Sequence, residues 1–473
     1  MLIVFFLIPA LCGAMCLFLQ GAWLRLALIG GGSAHLALTL TGVFCPFPAL
    51  TGWLALDSPA RLFLLVLSLL FLLVSVYSRD YMMLNSRVAR YESRYSCCLL
   101  LMLGSMSVVI LSRHLGLTWL AMEGTVLLGW PLIYYHHTPG ALESAWKYLI
   151  ICSVGIALAF AGNLFLGFAF NGSGSPLLLD NLLQAGAIAE PKWLKAAYIF
   201  SLVGYGTIMG LAPMHTWLPD ACSEAPSPVS ALLPALMNCS YLVILRMGEV
   251  CGGAGLGAFR QDLLMFFGIS SLIFAAIFII GQKDYSRMLA YSSTSSAGWL
   301  MLGAGIGPMG MLGALLHMFS HSMIKGMLFM LCGNIIAVYR SRMVEKVGGL
   351  LQVIPSTGVL WLGGFMALAG LPPFGIFQSN IRICQGMVES GSYLVLGVGL
   401  LLSAAMFVGM LLVFVSMSFD VPPPGMSMKP GNPLLKNLLG PAALAGIMGL
   451  LPGIYIPGWL EQLLRESAAL FGG

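Results

Sequence analysis

Three groups of ionisable residues stand in stretches that are otherwise apolar. Glu123 lies in WLAMEGTVLLGW, with no charged neighbour for many residues on either side. A carboxylate so placed is either protonated and bonded to a backbone carbonyl, or paired with a cation from another helix. Lys147 lies in ESAWKYLIICSVG, four residues after Glu143. It can pair with Glu143 along one helix face, reach back to the membrane surface, or meet Glu123 across adjacent helices. His317, His321 and Lys325 occupy positions i, i+4 and i+8 of LLHMFSHSMIKGMLF. At about 100° per residue they drift by only about 80°, so all three share one helix face. Imidazole titrates near neutrality, and two histidines in file with a lysine suit the relay of protons. The HxxxH spacing could also take a metal ion. It lacks the glutamate of HExxH and any third ligand nearby, so no metal site is expected.

Composition names the scaffold that must hold these groups. Of 473 residues, 59% are hydrophobic and 8% charged, whereas a soluble domain carries about a quarter charged residues. The chain is read as a polytopic all-α membrane protein. Apolar runs predict spans at 1–20, 23–45, 60–78, 96–112, 115–134, 143–170, 195–212, 223–245, 263–281, 288–306, 309–338, 353–389, 391–418 and 436–456. The first run has no basic region before it and continues as a full span, so it is read as a membrane helix and not a leader. Fourteen spans put both ends on one side. With the N-terminus outside, the inner loops hold twelve cations, among them Arg79, Arg87, Arg90, Arg94, Lys283, Arg287, Arg342 and Lys429, against seven outside. That bias places both ends outside. Asn171 to Trp193 is the one outer polar loop of any length. Eleven scattered cysteines show no CxxC and no Cys/His metal spacing, so they are read as small buried hydrophobes. The net charge of +5 lies in loops and speaks to topology, with no nucleic acid as partner. No nucleophile–base set, phosphate loop or cofactor motif is present, so neither a stand-alone enzyme nor a cofactor is expected.

Two spans are broken. Between Gly210 and Arg246 the chain packs Pro213, His215, Pro219, Asp220, Glu224, Pro226 and Pro228 into sixteen residues. Polar groups and broken backbone at membrane depth are tolerated when buried in protein or lining a wet cavity. His215 precedes a WLPDA turn, where Asp220 and Glu224 are expected to cap the next helix and hold the broken ends together. The second break, AGLPPFGIF, contains Pro372 and Pro373. Paired breaks resemble ion transporters more than inert anchors.

The run APMHTWLPDACSEAPSPVSALL, with KDYSRMLAYSSTSSAG, LLHMFSHSMIKGMLF and AGLPPFGIF, resembles the antiporter-like subunits of complex I, of energy-converting hydrogenases and of multi-subunit cation/proton antiporters. EGTVLLGW, ESAWKYLIICSVG and ALLPALMNC are similar to the hydrogenase-4 type. The likeness covers roughly Arg61 to Gln378. It implies fourteen helices: an N-terminal unit at 1–95, an inverted five-helix repeat at 96–250, a second at 251–420, and a last helix within 421–473, with helices seven and twelve broken. It further implies a bacterial or archaeal cytoplasmic membrane, the lipid bilayer and sister membrane subunits as partners, and protons or sodium as the ion moved while other subunits carry electrons. Glu123 matches the family's span-five glutamate, and His317, His321 and Lys325 match its polar axis. Four positions depart from it. Ile208 stands where a lysine is usual, Cys222 where a histidine is, Asn238 where a lysine is common, and Asn380 where a glutamate or lysine follows the second break. Ile208 and Asn380 cannot titrate. Two functions therefore stand side by side: an ion-translocating module working through Glu123, Lys147, His317, His321 and Lys325, or a scaffold subunit that has lost pumping. The residues after 456 carry no sign of the long lateral helix some family members use as a brace.

Overall fold

The computed structural model describes residues 2–45, 52–84, 91–170, 177–424 and 433–472. Arg87, Arg90, Lys429 and the first part of the Asn171 loop lie outside them. Among the described residues the only β pairings are isolated bridges, such as Asp284 with Met343. The chain opens with α1 (Val4–Cys16), α2 (Gly21–Phe44), α3 (Ser58–Leu84), α4 (Glu92–Leu111), α5 (Leu115–Ile133) and α6 (Pro139–Ala169). A short α7 (Leu179–Gln184) leads to α8 (Pro191–Met209), α9 (Trp217–Glu224) and α10 (Ser227–Gly253). Then come α11 (Gly257–Ile279), α12 (Tyr285–Gly305), α13 (Pro308–Tyr339), the one-turn α14 (Leu350–Val353), α15 (Pro355–Leu368) and α16 (Gly375–Glu389). The last three are α17 (Tyr393–Phe419), α18 (Pro433–Ile454) and α19 (Gly458–Phe471). Among the described residues, eleven helical segments are long and apolar enough to cross a membrane.

Local chemistry fixes the helix starts that matter for the site. Thr138 accepts a bond from Ala141 N at 3.1 Å, and Pro139 sits at the first helical position of α6, where its missing N–H is an orphan in any case. The carboxylate of Asp284 accepts from Ser286 N and Arg287 N at 2.8 and 3.1 Å and so begins α12. The α10 window is wholly buried and α13 nearly so, while α2, α17 and α18 show most of their apolar faces on the outside. The ionisable face of α13 is therefore central.

Both breaks fall where prolines predict them. After α8, Gly210 takes a left-handed φ of 78°, the Ala212–Pro213 bond is cis, and Met214–Thr216 form one tight turn. The structure then corrects one expectation: WLPDA is the helix α9 and not a turn. Pro219 falls in its first turn, where no intrahelical N–H bond is lost, and Trp217 Nε1 donates to Thr207 O at 2.8 Å, pinning α9 back against α8. The segment Pro191–Glu224 is thus a single span in two halves. In the second break Gly370 has φ 68° and Pro372–Pro373 is cis, between α15 and α16. The amphipathic α19 was not anticipated. It buries Leu460, Leu463, Leu464 and Phe471, and Glu466 accepts from Ser58 at 2.9 Å.

Candidate functional site: a buried polar line

The file on α13 is as the spacing predicts. His317 and His321 stack with ring centroids 5.8 Å apart and planes 11° apart. His317 Nδ1 meets Ser379 Oγ of α16 at 3.0 Å. Lys325 is fully buried, and its ammonium donates to the Leu289 carbonyl and the Ser292 hydroxyl, both on α12. Among the described residues no carboxylate forms an ion pair with it. Ser293, Thr294, Ser295 and Ser296 follow Ser292 on α12 and are buried too, each turned about 100° from the one before. His321 Nε2, Thr294 Oγ1 and Ser320 Oγ are buried without a partner among the described residues, and Asn380 lies beside His317. Polar atoms in that state gather where water or a mobile proton belongs.

The departures from the family pattern now have surroundings. Asn238 of α10 donates to Ser322 Oγ at 2.8 Å, one turn from Lys325. Its amide thus joins the line as a neutral link. Ile208 is completely buried in apolar packing, and Cys222 is buried on α9. Pro219, Pro372 and Pro373 shape the breaks. His215 stands in the first break among Phe274, Tyr291 and Phe278, at centroid distances of 5.7, 6.0 and 6.1 Å.

Glu123 and Lys147 do not meet. Glu123 is half-buried on α5, accepts from Ser153 Oγ at 3.4 Å, and leaves its second oxygen without a partner. Lys147 pairs with Glu143 at 2.7 Å and Asp220 at 3.0 Å. Ser153 lies six residues beyond Lys147 on α6, about 9 Å along the helix axis. Two carboxylates at the end of the bundle capture the ammonium before it can reach Glu123. Asp220 also binds Arg287 at 2.6 Å. Glu224 binds Arg342 at 2.5 Å, and Ser223 donates to Asp284 at 2.7 Å. Neither Asp220 nor Glu224 caps α10, whose start has no side-chain cap. That expectation is corrected: both acids bind cations on other elements.

Sequence reading missed three features. Arg287 and Arg342 count in it only as loop charges and Asp284 not at all, although with α9 they form an array of ion pairs and hydrogen bonds. Arg382 sits on α16 with Nη1 buried and unpartnered. The signal was available, a lone arginine two residues after Asn380. His35 of α2 is buried between Ser68 Oγ at 2.9 Å and Ser107 Oγ at 2.8 Å. At the other end of the bundle Asp57 holds Arg113 at 2.8 Å and Arg246 at 3.1 Å, and Arg113 also binds Asp180. Burial opposes the Arg113 charge, yet Asp180 and Asp57 hold its pKa above the ordinary guanidinium value.

The profile of the NADH:quinone oxidoreductase/Mrp antiporter transmembrane family matches residues 112–407. The chain is 30% identical over 392 residues to the Hydrogenase-4 component F homolog of Methylacidiphilum infernorum, covering 80% of this chain and 79% of that protein. It is 29% identical over 395 residues to NADH-quinone oxidoreductase subunit N of Desulforudis audaxviator, covering 81% and 78%. A chain of the membrane-bound sulfane sulfur reductase, an archaeal respiratory membrane complex, shares the fold with a TM-score of 0.87. It covers 99% of this chain and 97% of that one at 21% identity.

Proposed function

The chain belongs to the NADH:quinone oxidoreductase/Mrp antiporter transmembrane family, and we propose that it is an antiporter-like membrane subunit of a complex I-related or hydrogenase-type assembly. Its part is to move protons while partner subunits carry the electrons. The observation that carries this reading is Lys325: a buried ammonium held by a carbonyl and a hydroxyl, with two histidines in file beside it. A charge kept inside a membrane bundle without a counter-charge is costly and is the kind of group that a translocation cycle loads and unloads. The proposed frame is fourteen spans, counting α8–α9 and α15–α16 as one broken span each, with both ends outside. Its two inverted repeats are α4–α10 and α11–α17.

The second half does the proton work in this proposal, through Lys325, His321 and His317. Glu123 and Lys147 are assigned to the first half, where Ile208 leaves Glu123 with a hydroxyl in place of a cation. The scaffold reading draws on that same gap. The test is proton yield per electron in proteoliposomes holding the parent complex, at matched electron-transfer rate. His321→Ala lowers the yield, and Glu123→Gln leaves it near that of the unmodified complex. If neither changes it and assembly is intact, the subunit is a scaffold.

A further inference from the structure

Asp220 is one carboxylate shared by two cations from opposite halves of the chain. Its Oδ2 takes Lys147 of α6 at 3.0 Å and its Oδ1 takes Arg287 of α12 at 2.6 Å. The two cations are not equivalent. Lys147 has a second acid, Glu143, at 2.7 Å. Arg287 pairs with no other carboxylate among the described residues. Arg287 lies two residues before Leu289 and five before Ser292, the two acceptors of the Lys325 ammonium. The same first turn is gripped again three residues further along α9, where Ser223 donates to Asp284 at 2.7 Å, the residue whose carboxylate starts α12. Glu224 meanwhile holds Arg342, just beyond the end of α13, at 2.5 Å. One face of α9, the second half of the broken span, therefore ties down both helices that build the lysine site.

We infer that Asp220 is a positioning residue joining the two halves: through Arg287 it holds the first turns of α12, and so Leu289 and Ser292, where Lys325 takes up its proton. This rests on the proposed proton role of Lys325. Other titratable groups close to that ammonium are His321 and Cys332 of α13 and Cys222 of α9. Those facing Asp220 are Lys147, Arg287 and Tyr291, with Glu143 behind Lys147. When Lys147 turns to Glu143 alone, Asp220 bears on Arg287 alone. In this way a charge change at α6 reaches the acceptors of Lys325 without contact between the two lysines.

The experiment compares Asp220→Asn, Asp220→Glu, Arg287→Gln, Lys147→Gln and Lys325→Met in the intact parent complex, with Glu345→Gln as control. Glu345 forms an exposed pair with Lys283 at 3.7 Å and belongs to no part of the array. Proton yield per electron and its pH profile are read per assembled complex. D220N and R287Q are expected to lower the yield and move the profile to lower pH by about one unit, the tenfold change that one lost charge-assisted bond produces. D220E restores both, K147Q has the smaller effect, and E345Q has none. Wild-type yield and profile in D220N, beside loss in K325M, overturn the inference and leave the proton role of Lys325 standing. So does a D220N that merely assembles poorly, with normal yield per complex. Wild-type yield in K325M overturns both readings.

Discussion

Replacing Lys325 with methionine is expected to separate stability from function, in opposite directions. The ammonium meets two neutral acceptors, Leu289 O and Ser292 Oγ. Bonds from a charged donor contribute roughly 1.5–3 kcal/mol each. Against them stands a desolvation penalty of several kcal/mol for an ion with no counter-charge. The terms nearly cancel. Methionine also strands nothing, because Ser292 Oγ still donates to Leu289 O at 2.9 Å and Ser293 Oγ to the same carbonyl at 3.3 Å. Its length and volume follow the lysine stem, so neither a cavity nor an overlap arises. The unfolding midpoint therefore stays within about 2 °C of the unmodified protein or rises, while the proton yield is lost. Unfolding can be followed in detergent with a thiol-reactive dye, since Cys222, Cys239, Cys251 and Cys332 are buried and free. Proton yield is read in proteoliposomes. A clear fall in the midpoint would show that the ammonium is structurally compensated, and the description of Lys325 as a stored charge would fail.

The opposite outcome is expected at the other end of the bundle. Arg246→Met removes two bonds to Asp57 at 3.1 Å and one to Ser112 O at 2.8 Å. Asp57 keeps Arg113, so the cost is that of a lost charge-assisted bond, about 1.5–3 kcal/mol, read as an early midpoint in the same dye assay; an unchanged midpoint refutes it. On α19, Gln462 and Ser58 hold the Glu466 carboxyl below its usual range. A lowered folded pKa supports docking fully above the unfolded value of about 4.3 and loses that support as pH falls through the folded value. A spin label at Leu470 should accordingly gain mobility in acid, and equal mobility across that range would contradict the assignment.

The all-helical membrane architecture was legible because a bilayer demands some twenty apolar residues per crossing and punishes every exposed backbone group. The file of His317, His321 and Lys325 was legible because helical periodicity alone puts those residues on one face. WLPDA was not. Pro219 reads as a breaker until the helix start at Trp217 is known, and only then does it fall in a harmless first turn. The partners of Lys147 were half legible: local spacing gives Glu143, which does pair with it, but Asp220 arrives from a segment seventy-three residues away. Arg287 and Arg342 read as topology signals because a loop cation and a clasp cation look alike in sequence. Arg382 sits inside a run read as one apolar span, and α19 is too short and too polar for a search tuned to membrane crossings.

The Ser292 hydroxyl beside the Lys325 ammonium has a consequence for how a charge is housed. A carboxylate beside Lys325 would bind its ammonium tightly and resist its neutralisation. A hydroxyl instead turns its dipole toward whichever state is present, accepting from the ammonium and donating once the proton has gone. On α12 it is Ser292 that stands in this position, touching the ammonium and able to give up its own bond to Leu289 O in exchange. In the proposed cycle such a side chain serves either charge state of Lys325, so that a neighbouring charge can decide between them.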